Sequence, residues 1–415
     1  MQVGALFLKE KKEMKNVKDL HVEGKRVLVR CDFNVPLKEG KIRDDNRIVQ
    51  ALPTIRELLN KGARVILMSH LGKIDFKKTP EEIEAAKKKN SLAPVATRLG
   101  ELLEMPVTFC PATRGEELEH AVAALKNGEV LLVQNTRYEK GETKNDAELS
   151  AIWASLADAF VMDAFGSAHR AHASTYGVPA ILKGEGKEVA IGYLVEKEVQ
   201  NLGRCVACKE EDRPYVAILG GFKVSDKIKV IESLLKKCDK VIIGGAMAYT
   251  FLKAQGKEIG DSPFEADQLD YAKRCMEEAK DKIVLPVDSV VADSFDDPKD
   301  IRVVDQMLPG FEGMDIGPKT RALYMEEVKK AKTVFWNGPM GVFEKEQFTA
   351  GTIAICDAIR AIKGKAFTVC GGGDSAAAVK QFGYKEDFSH VSTGGGASLE
   401  MIENDGHLPG IDVIG

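Results

Sequence analysis

Tyr215-Val-Ala-Ile-Leu-Gly-Gly-Phe-Lys-Val-Ser-Asp-Lys227 reads as a short apolar strand that stops at a glycine pair and hands over to a helix-forming run at 227–237. The same order recurs on both sides of it. Downstream, apolar runs at 240–245, 282–288, 333–338, 367–372 and 390–393 bring the second part of the chain to six expected strands. Upstream, runs at 27–30, 64–69, 107–110, 130–135 and 160–164 give five more. Between them lie stretches with helical spacing, at 47–60, 92–103, 264–280 and 350–362. Strands that alternate with helices imply parallel sheets covered on both faces. The expected fold is therefore α/β, with two doubly wound, Rossmann-like domains joined by a hinge helix. That helix is expected at 187–202, where Val189, Ile191, Leu194, Val195, Val199 and Leu202 form an apolar stripe. Residues 1–186 and 203–403 are the expected domains on either side.

The chain has 415 residues, more than a single core of about 250–300 residues holds, which again points to two domains. Lys and Arg number 59 against 63 Asp and Glu, so no overall positive field exists to hold a nucleic acid or an anionic membrane. The apolar stretch 241–252 is too short for the ~20 residues that span a bilayer. Met1–Leu8 runs straight into Lys9-Glu-Lys-Lys12 without a cleavage-type site, so no signal peptide is expected. Eight scattered cysteines fit a reducing cytoplasm. Cys205-Val-Ala-Cys208 has no second pair or histidines at ligand spacing, and two ordinary thiols are expected there.

Ligands of open parallel sheets bind outside the carboxyl ends of the strands, so the residues just after each apolar run carry the functional information. In the first part these are Arg30, Asp32, Asn34, His70, Arg137, and the run 163–172 with His169, Arg170 and His172; Arg47 opens the first helix. Cations delivered from separate strand ends form a local basic pocket suited to a small phosphate- or carboxylate-bearing ligand.

The second part is rich in glycine: Gly220-Gly221 with Lys223 and Lys227, Gly244-Gly245, Asn337-Gly338-Pro339, Gly371-Gly372-Gly373-Asp374-Ser375, and Thr393-Gly394-Gly395-Gly396. Glycines at strand–helix junctions let backbone N–H groups approach phosphate oxygens, and a helix start adds partial positive charge. Lys223 and Lys227 add cations, and Asp374 is a candidate ligand for Mg²⁺. A polyphosphate nucleotide is the expected ligand. Neither the P-loop pattern nor G-x-G-x-x-G after a first strand occurs, which argues against P-loop enzymes and dinucleotide-dependent dehydrogenases.

Arg30-Cys-Asp-Phe-Asn-Val-Pro36 resembles the N-terminal signature of the phosphoglycerate kinases. Ser69-His-Leu-Gly72, Asp163-Ala-Phe-Gly-Ser-Ala-His-Arg170, Leu219–Lys227, Val334-Phe-Trp-Asn-Gly-Pro-Met-Gly341, Gly371-Gly-Gly-Asp374 and His390-Val-Ser-Thr-Gly-Gly-Gly-Ala397 follow in family order over nearly the whole chain. The resemblance implies reversible phosphoryl transfer between ATP and 3-phosphoglycerate, or ADP and 1,3-bisphosphoglycerate, by a monomeric enzyme with Mg²⁺. It implies that Asp32, Asn34, Arg47, His70, Leu71, Gly72, Lys73, Arg137 and Arg170 bind the acidic substrate. It further implies that Gly221, Lys223, Lys227, Gly244, Gly245, Gly313, Met314, Asn337, Glu344, Gly371–Ser375 and Thr393–Gly395 bind the nucleotide, with Asp374 near the metal. Catalysis would fall to Arg47, Lys223, Gly372 and Gly395, and residues 404–415 would return to complete the first domain. The chain departs from the family pattern at Lys73, where the family usually has arginine, and at Phe222 and Val133-Gln-Asn-Thr136.

Overall fold

Tyr215–Leu219, Thr333–Asn337 and Ala159–Asp163 are buried at every position, as is Arg26–Cys31 from Val27 onward. Such strands have no solvent face, and that is why their sequences are continuous apolar runs rather than alternating ones. The computed structural model describes residues 14–415, so the Met1–Leu8 stretch lies outside the described residues. The chain divides into two compact units, one ending at Gln200 and including His407–Gly415, the other Asn201–Gly406.

The first unit holds a six-stranded sheet in the order Val107–Cys110, Val130–Val133, Arg64–Met68, Arg26–Cys31, Ala159–Asp163, Glu188–Ile191, all parallel. The chain starts in the interior of this sheet, works outward on one side, then returns to the other. The reversal falls between Arg26–Cys31 and Ala159–Asp163, the crevice where doubly wound sheets bind ligands. Helix Asn46–Asn60 covers the sheet with Ile48, Ala51, Leu52, Ile55 and Leu58, a stripe at helical spacing. Burying each large side chain contributes roughly 1.5–3 kcal/mol, and this packing fixes Arg47 at the helix start.

The second unit repeats the plan with Ile283–Val284, Lys240–Ile243, Tyr215–Leu219, Thr333–Asn337, Phe367–Cys370 and His390–Val391, again all parallel. Its reversal lies between Tyr215–Leu219 and Thr333–Asn337. Trp336, Tyr324 and Ile355 form the centre of one core cluster, and the Tyr324 hydroxyl donates to the Ile243 carbonyl at 2.6 Å.

Three expectations need correction. The stripe at 187–202 is not one helix: Glu188–Ile191 is the sixth strand, paired with Ala159–Met162, and the helix is Tyr193–Val206. Val189 and Ile191 satisfy a two-residue period as well as a helical one, and a partner strand decides between them. The expected strand at 282–288 is only Ile283–Val284, and the helix at 264–280 is Leu269–Ala279 behind a 3₁₀ turn at Ala266–Gln268. An antiparallel sheet of Ser289–Ala292, Ile301–Val304 and Glu312–Ile316 was not anticipated, nor was helix Pro80–Lys89.

Candidate active site

At the reversal of the first sheet, the strand ends deliver several cations into one neighbourhood. Arg30 is buried; its Nε donates to the Ser174 hydroxyl at 2.7 Å and its guanidinium lies 3.1 Å from His70 Nδ1. Arg47 pairs with the buried Asp32, whose other oxygen accepts the Asn34 N–H at 3.2 Å. The Asn34 side chain in turn accepts the Gly72 N–H at 2.9 Å, and Arg137 donates to the Gly72 carbonyl at 2.6 Å. Gly72 sits at φ 61, and a Cβ there would run into the Asn90 amide, so only glycine holds this turn. Lys73 and Arg170 are exposed, and Leu71 is buried.

The electrostatics of this cluster are unbalanced. Burial, then Arg30, Arg137, Arg47 and His172, hold the His70 imidazole well below its ordinary range. Burial is also the main cause that brings His169 and His172 to about 4; Arg170 adds to it for both, and Arg30 and Arg137 for His172. All three imidazoles are therefore neutral near pH 7 and serve as hydrogen-bonding groups. Burial, Arg30 and Arg170 pull Arg137 down to about 10, still protonated at neutral pH. Glu142 is fully buried and accepts the Ser174 N–H and hydroxyl at 2.9 and 2.8 Å. It and Asp32 are the carboxylates acting on Arg30 and Arg137. Neither Glu142 nor Ser174 was read as a site residue: a glutamate in a polar loop carries no sequence sign that it will be buried.

At the reversal of the second sheet the backbone comes close. A Cβ on Gly220 would meet the Gly338 and Pro339 carbonyls, and one on Gly245, at φ 66, would lie 2.6 Å from the Gly221 N and O. Lys227 donates to the Asn337 side chain, whose amide donates to the Gly371 carbonyl at 2.8 Å. The Gly338 N–H donates to the buried Ser375 hydroxyl at 2.5 Å. Burial draws the Lys227 ammonium down to about 8, against the pull of Asp374 and Asp226. Gly372 caps helix Gly373–Gln381, with Asp374 in its first turn. Gly395 caps helix Gly396–Glu403, and Ser398 of that helix would be met by a Cβ on Gly371.

The remaining residues assigned by resemblance are less closely tied together. Gly244 packs against Met340. Gly313 and Met314 lie on the antiparallel sheet, where the Gly313 N–H donates to Ser262 at 2.9 Å and the Met314 side chain is buried with Ala292 and Phe348. Lys223 and Glu344 are exposed. Thr393 and Gly394 precede the last glycine-capped helix, and Gly394 donates to Ser392 at 3.1 Å.

Two parallel sheets, one presenting cations and the other glycine-rich helix starts at their reversal points, define a kinase of a small anionic substrate. The chain matches the profile described as phosphoglycerate kinase over residues 17–405. It is 54% identical over 406 residues to the phosphoglycerate kinase of Macrococcus caseolyticus, covering 96% of this chain and 98% of the relative. The enzyme of Staphylococcus aureus strain Newman matches to the same extent. The solved phosphoglycerate kinase of Coxiella burnetii superposes with a TM-score of 0.83 at 41% identity, and that of Pyrococcus horikoshii with 0.81 at 32%, each covering 97% of this chain and 98% of the other. The chain belongs to the phosphoglycerate kinase family. It is accordingly a glycolytic phosphotransferase with 3-phosphoglycerate and ATP or ADP as substrates. No helix among the described residues is long and apolar enough to cross a membrane.

Proposed function

We propose that Asp32, Asn34, Arg47, His70, Leu71, Gly72, Lys73, Arg137 and Arg170 bind the acidic substrate on the first sheet. The nucleotide phosphates lie, on this reading, along Gly221, Lys223, Lys227, Asn337, Gly371–Ser375 and Thr393–Gly395 of the second. Gly244, Gly245, Gly313 and Met314 flank the base, and Glu344 meets the ribose. The observation that carries the assignment is the surplus of positive charge around Arg30, Arg47, Arg137 and Arg170, set against Asp32 and Glu142 among the described residues. An anionic ligand completes that balance.

The acceptor carboxylate is ionised at neutral pH, so no general base is required, in keeping with imidazoles held neutral. Catalysis is then positioning and charge neutralisation. Arg47 and Lys223 follow the migrating charge, and the N–H groups at Gly372 and Gly395 meet the transferring group. Asp374 is exposed, with no hydrogen bond or ion pair to it among the described residues, and its oxygen donors suit Mg²⁺, which when bound neutralises phosphate charge. With the ligands on different units, reaching the ~3–3.5 Å needed for transfer calls for closure about helix Tyr193–Val206. The enzyme works as a cytoplasmic monomer.

The test is calorimetry of 3-phosphoglycerate and MgADP against single-site variants. Each should weaken the ligand of its own sheet alone; equal loss of both from Arg170→Ala would overturn the assignment. Small-angle scattering should show compaction with both ligands, and an unchanged radius of gyration would count against closure.

A further inference from the structure

Glu142, Ser174, Arg30 and His70 form one buried line in the first unit, and their donor and acceptor types give it a direction. Glu142 begins it. Its two carboxylate oxygens accept the Ser174 N–H at 2.9 Å and the Ser174 hydroxyl at 2.8 Å. A carboxylate only accepts, so the single proton of that hydroxyl points at Glu142. The lone pairs of Ser174 Oγ then face the other way, and Arg30 Nε donates to them at 2.7 Å. Arg30 donates from a second nitrogen to the Cys31 carbonyl and lies with the third 3.1 Å from His70 Nδ1. A guanidinium has no acceptor atom. His70 Nδ1 must therefore accept.

A neutral imidazole carries one ring proton, and with Nδ1 accepting, that proton sits on Nε2. Neutrality is imposed on His70 from several sides: burial comes first, and Arg30, Arg137, Arg47 and His172 add to it. Nε2 makes no hydrogen bond among the described residues, so its N–H remains for a ligand. The charge of Glu142 counts here as well as its shape. Glu142 is the leading carboxylate acting on Arg30, ahead of Asp32, and it opposes the cost of burying that guanidinium.

We propose that Glu142 and Ser174 are positioning residues for the acidic substrate, acting through Arg30 to hold His70 with its proton on Nε2. In that form the ring offers an N–H to a phosphate or carboxylate oxygen. The other tautomer turns a lone pair toward the same negative charge and repels it. The inference rests on His70 contacting the substrate, as proposed above, and adds that its donor is selected from behind by a buried acceptor.

The test is nitrogen NMR of the full-length enzyme carrying isotopically labelled histidine, with His70→Gln identifying the His70 signals by their loss. In the parent near pH 7, Nδ1 should show the pyridine-type shift and Nε2 the pyrrole-type. The reverse assignment, or a doubly protonated ring, overturns the proposal. Ser174→Ala and Glu142→Gln should draw the two shifts together as the tautomers mix, and Ser174→Thr, which keeps the hydroxyl, should restore them. In the first two variants the KM for 3-phosphoglycerate should rise about fivefold to tenfold, with kcat and the KM for MgATP held within about twofold. A raised KM with unmoved His70 shifts is the mark of a merely structural role and counts against the proposal. If the parent shows the stated tautomer while His70→Gln binds 3-phosphoglycerate as tightly as the parent, the substrate-site assignment fails and the tautomer stands without it. The parent spectrum decides the tautomer by itself, so a Glu142 variant that does not fold cannot shield the proposal from refutation.

Discussion

The two six-stranded parallel sheets share a winding plan and a reversal point, yet they present opposite chemistry there. The first offers side chains: Arg30, Arg47 and Arg137 around neutral imidazoles. The second offers main chain, with Gly220, Gly245 and Gly338 packed so closely that a methyl group would strike a neighbouring backbone, and Lys227 reaching in to Asn337. A three-carbon acid has few atoms to hold and is best gripped by forked charges. A polyphosphate is long and can be followed by N–H groups. On the proposed assignment one architecture serves two ligands, because the carboxyl ends of strands are open to substitution while the buried runs behind them are not.

The largest expected break in this comparison comes from the side-chain site. Arg47→Ala leaves the buried Asp32 without its partner and removes the fork proposed to hold the acidic substrate; kcat/KM for 3-phosphoglycerate should fall about a hundredfold to a thousandfold. MgADP affinity should hold within about twofold. Comparable loss of both ligands would mean the two sheets do not divide the work.

Lys223→Ala tests the other side. The side chain is exposed, with no hydrogen bond or ion pair among the described residues, so its removal should not disturb folding. A cation that follows the migrating charge acts mainly in the transition state, so kcat should drop about a hundredfold with KM changing far less. An unchanged kcat in a folded variant removes Lys223 from the mechanism.

Much of this division was legible in the residues themselves. The fully buried runs declare their strands, and glycine and arginine fall at strand ends because sterics and charge demand it there. What stayed hidden depended on partners distant in sequence. Glu188–Ile191 is a strand only because Ala159–Met162 is beside it. The strand Ile301–Val304 is largely exposed, and Arg302 interrupts its apolar residues, so no continuous apolar run marks it. Glu142 is buried where Ser174, 32 residues on, comes back to meet it.

Each unit also hides one carboxyl group raised to about 7 by burial, Asp163 in the first and Asp315 in the second. Asp163 accepts the Leu194 N–H at 3.1 Å at the start of helix Tyr193–Val206, while Asp315 accepts the Gly351 N–H at 2.7 Å. For either group the folded state keeps its proton to near pH 7, while the unfolded chain releases it near 4. The folded state therefore binds more protons in that window, and stability falls as pH rises from about 4 to 7, by at most ~1.4 kcal/mol per pH unit for each group. Asp163→Asn and Asp315→Asn should each flatten that fall in urea titrations run at several pH values. A wild-type slope retained by both variants would show that neither carboxyl sets it.

The smallest expected effect sharpens the comparison at Lys73. Its backbone is well fixed: Gly72 donates to Asn34, accepts from Arg137, and is confined by Asn90. The Lys73 side chain is exposed and makes no ion pair among the described residues, so a longer group can be accommodated without repacking. Lysine offers a point charge where arginine offers a planar fork that meets phosphate or carboxylate oxygens in pairs. Lys73→Arg should tighten 3-phosphoglycerate about twofold to fivefold, a gain below ~1 kcal/mol as befits an exposed charge, and leave MgADP unchanged. Binding that weakens in a correctly folded variant would mean that the turn between Gly72 and Asn90 has settled around lysine, and that the forked-charge rule of the first sheet stops at its solvent edge.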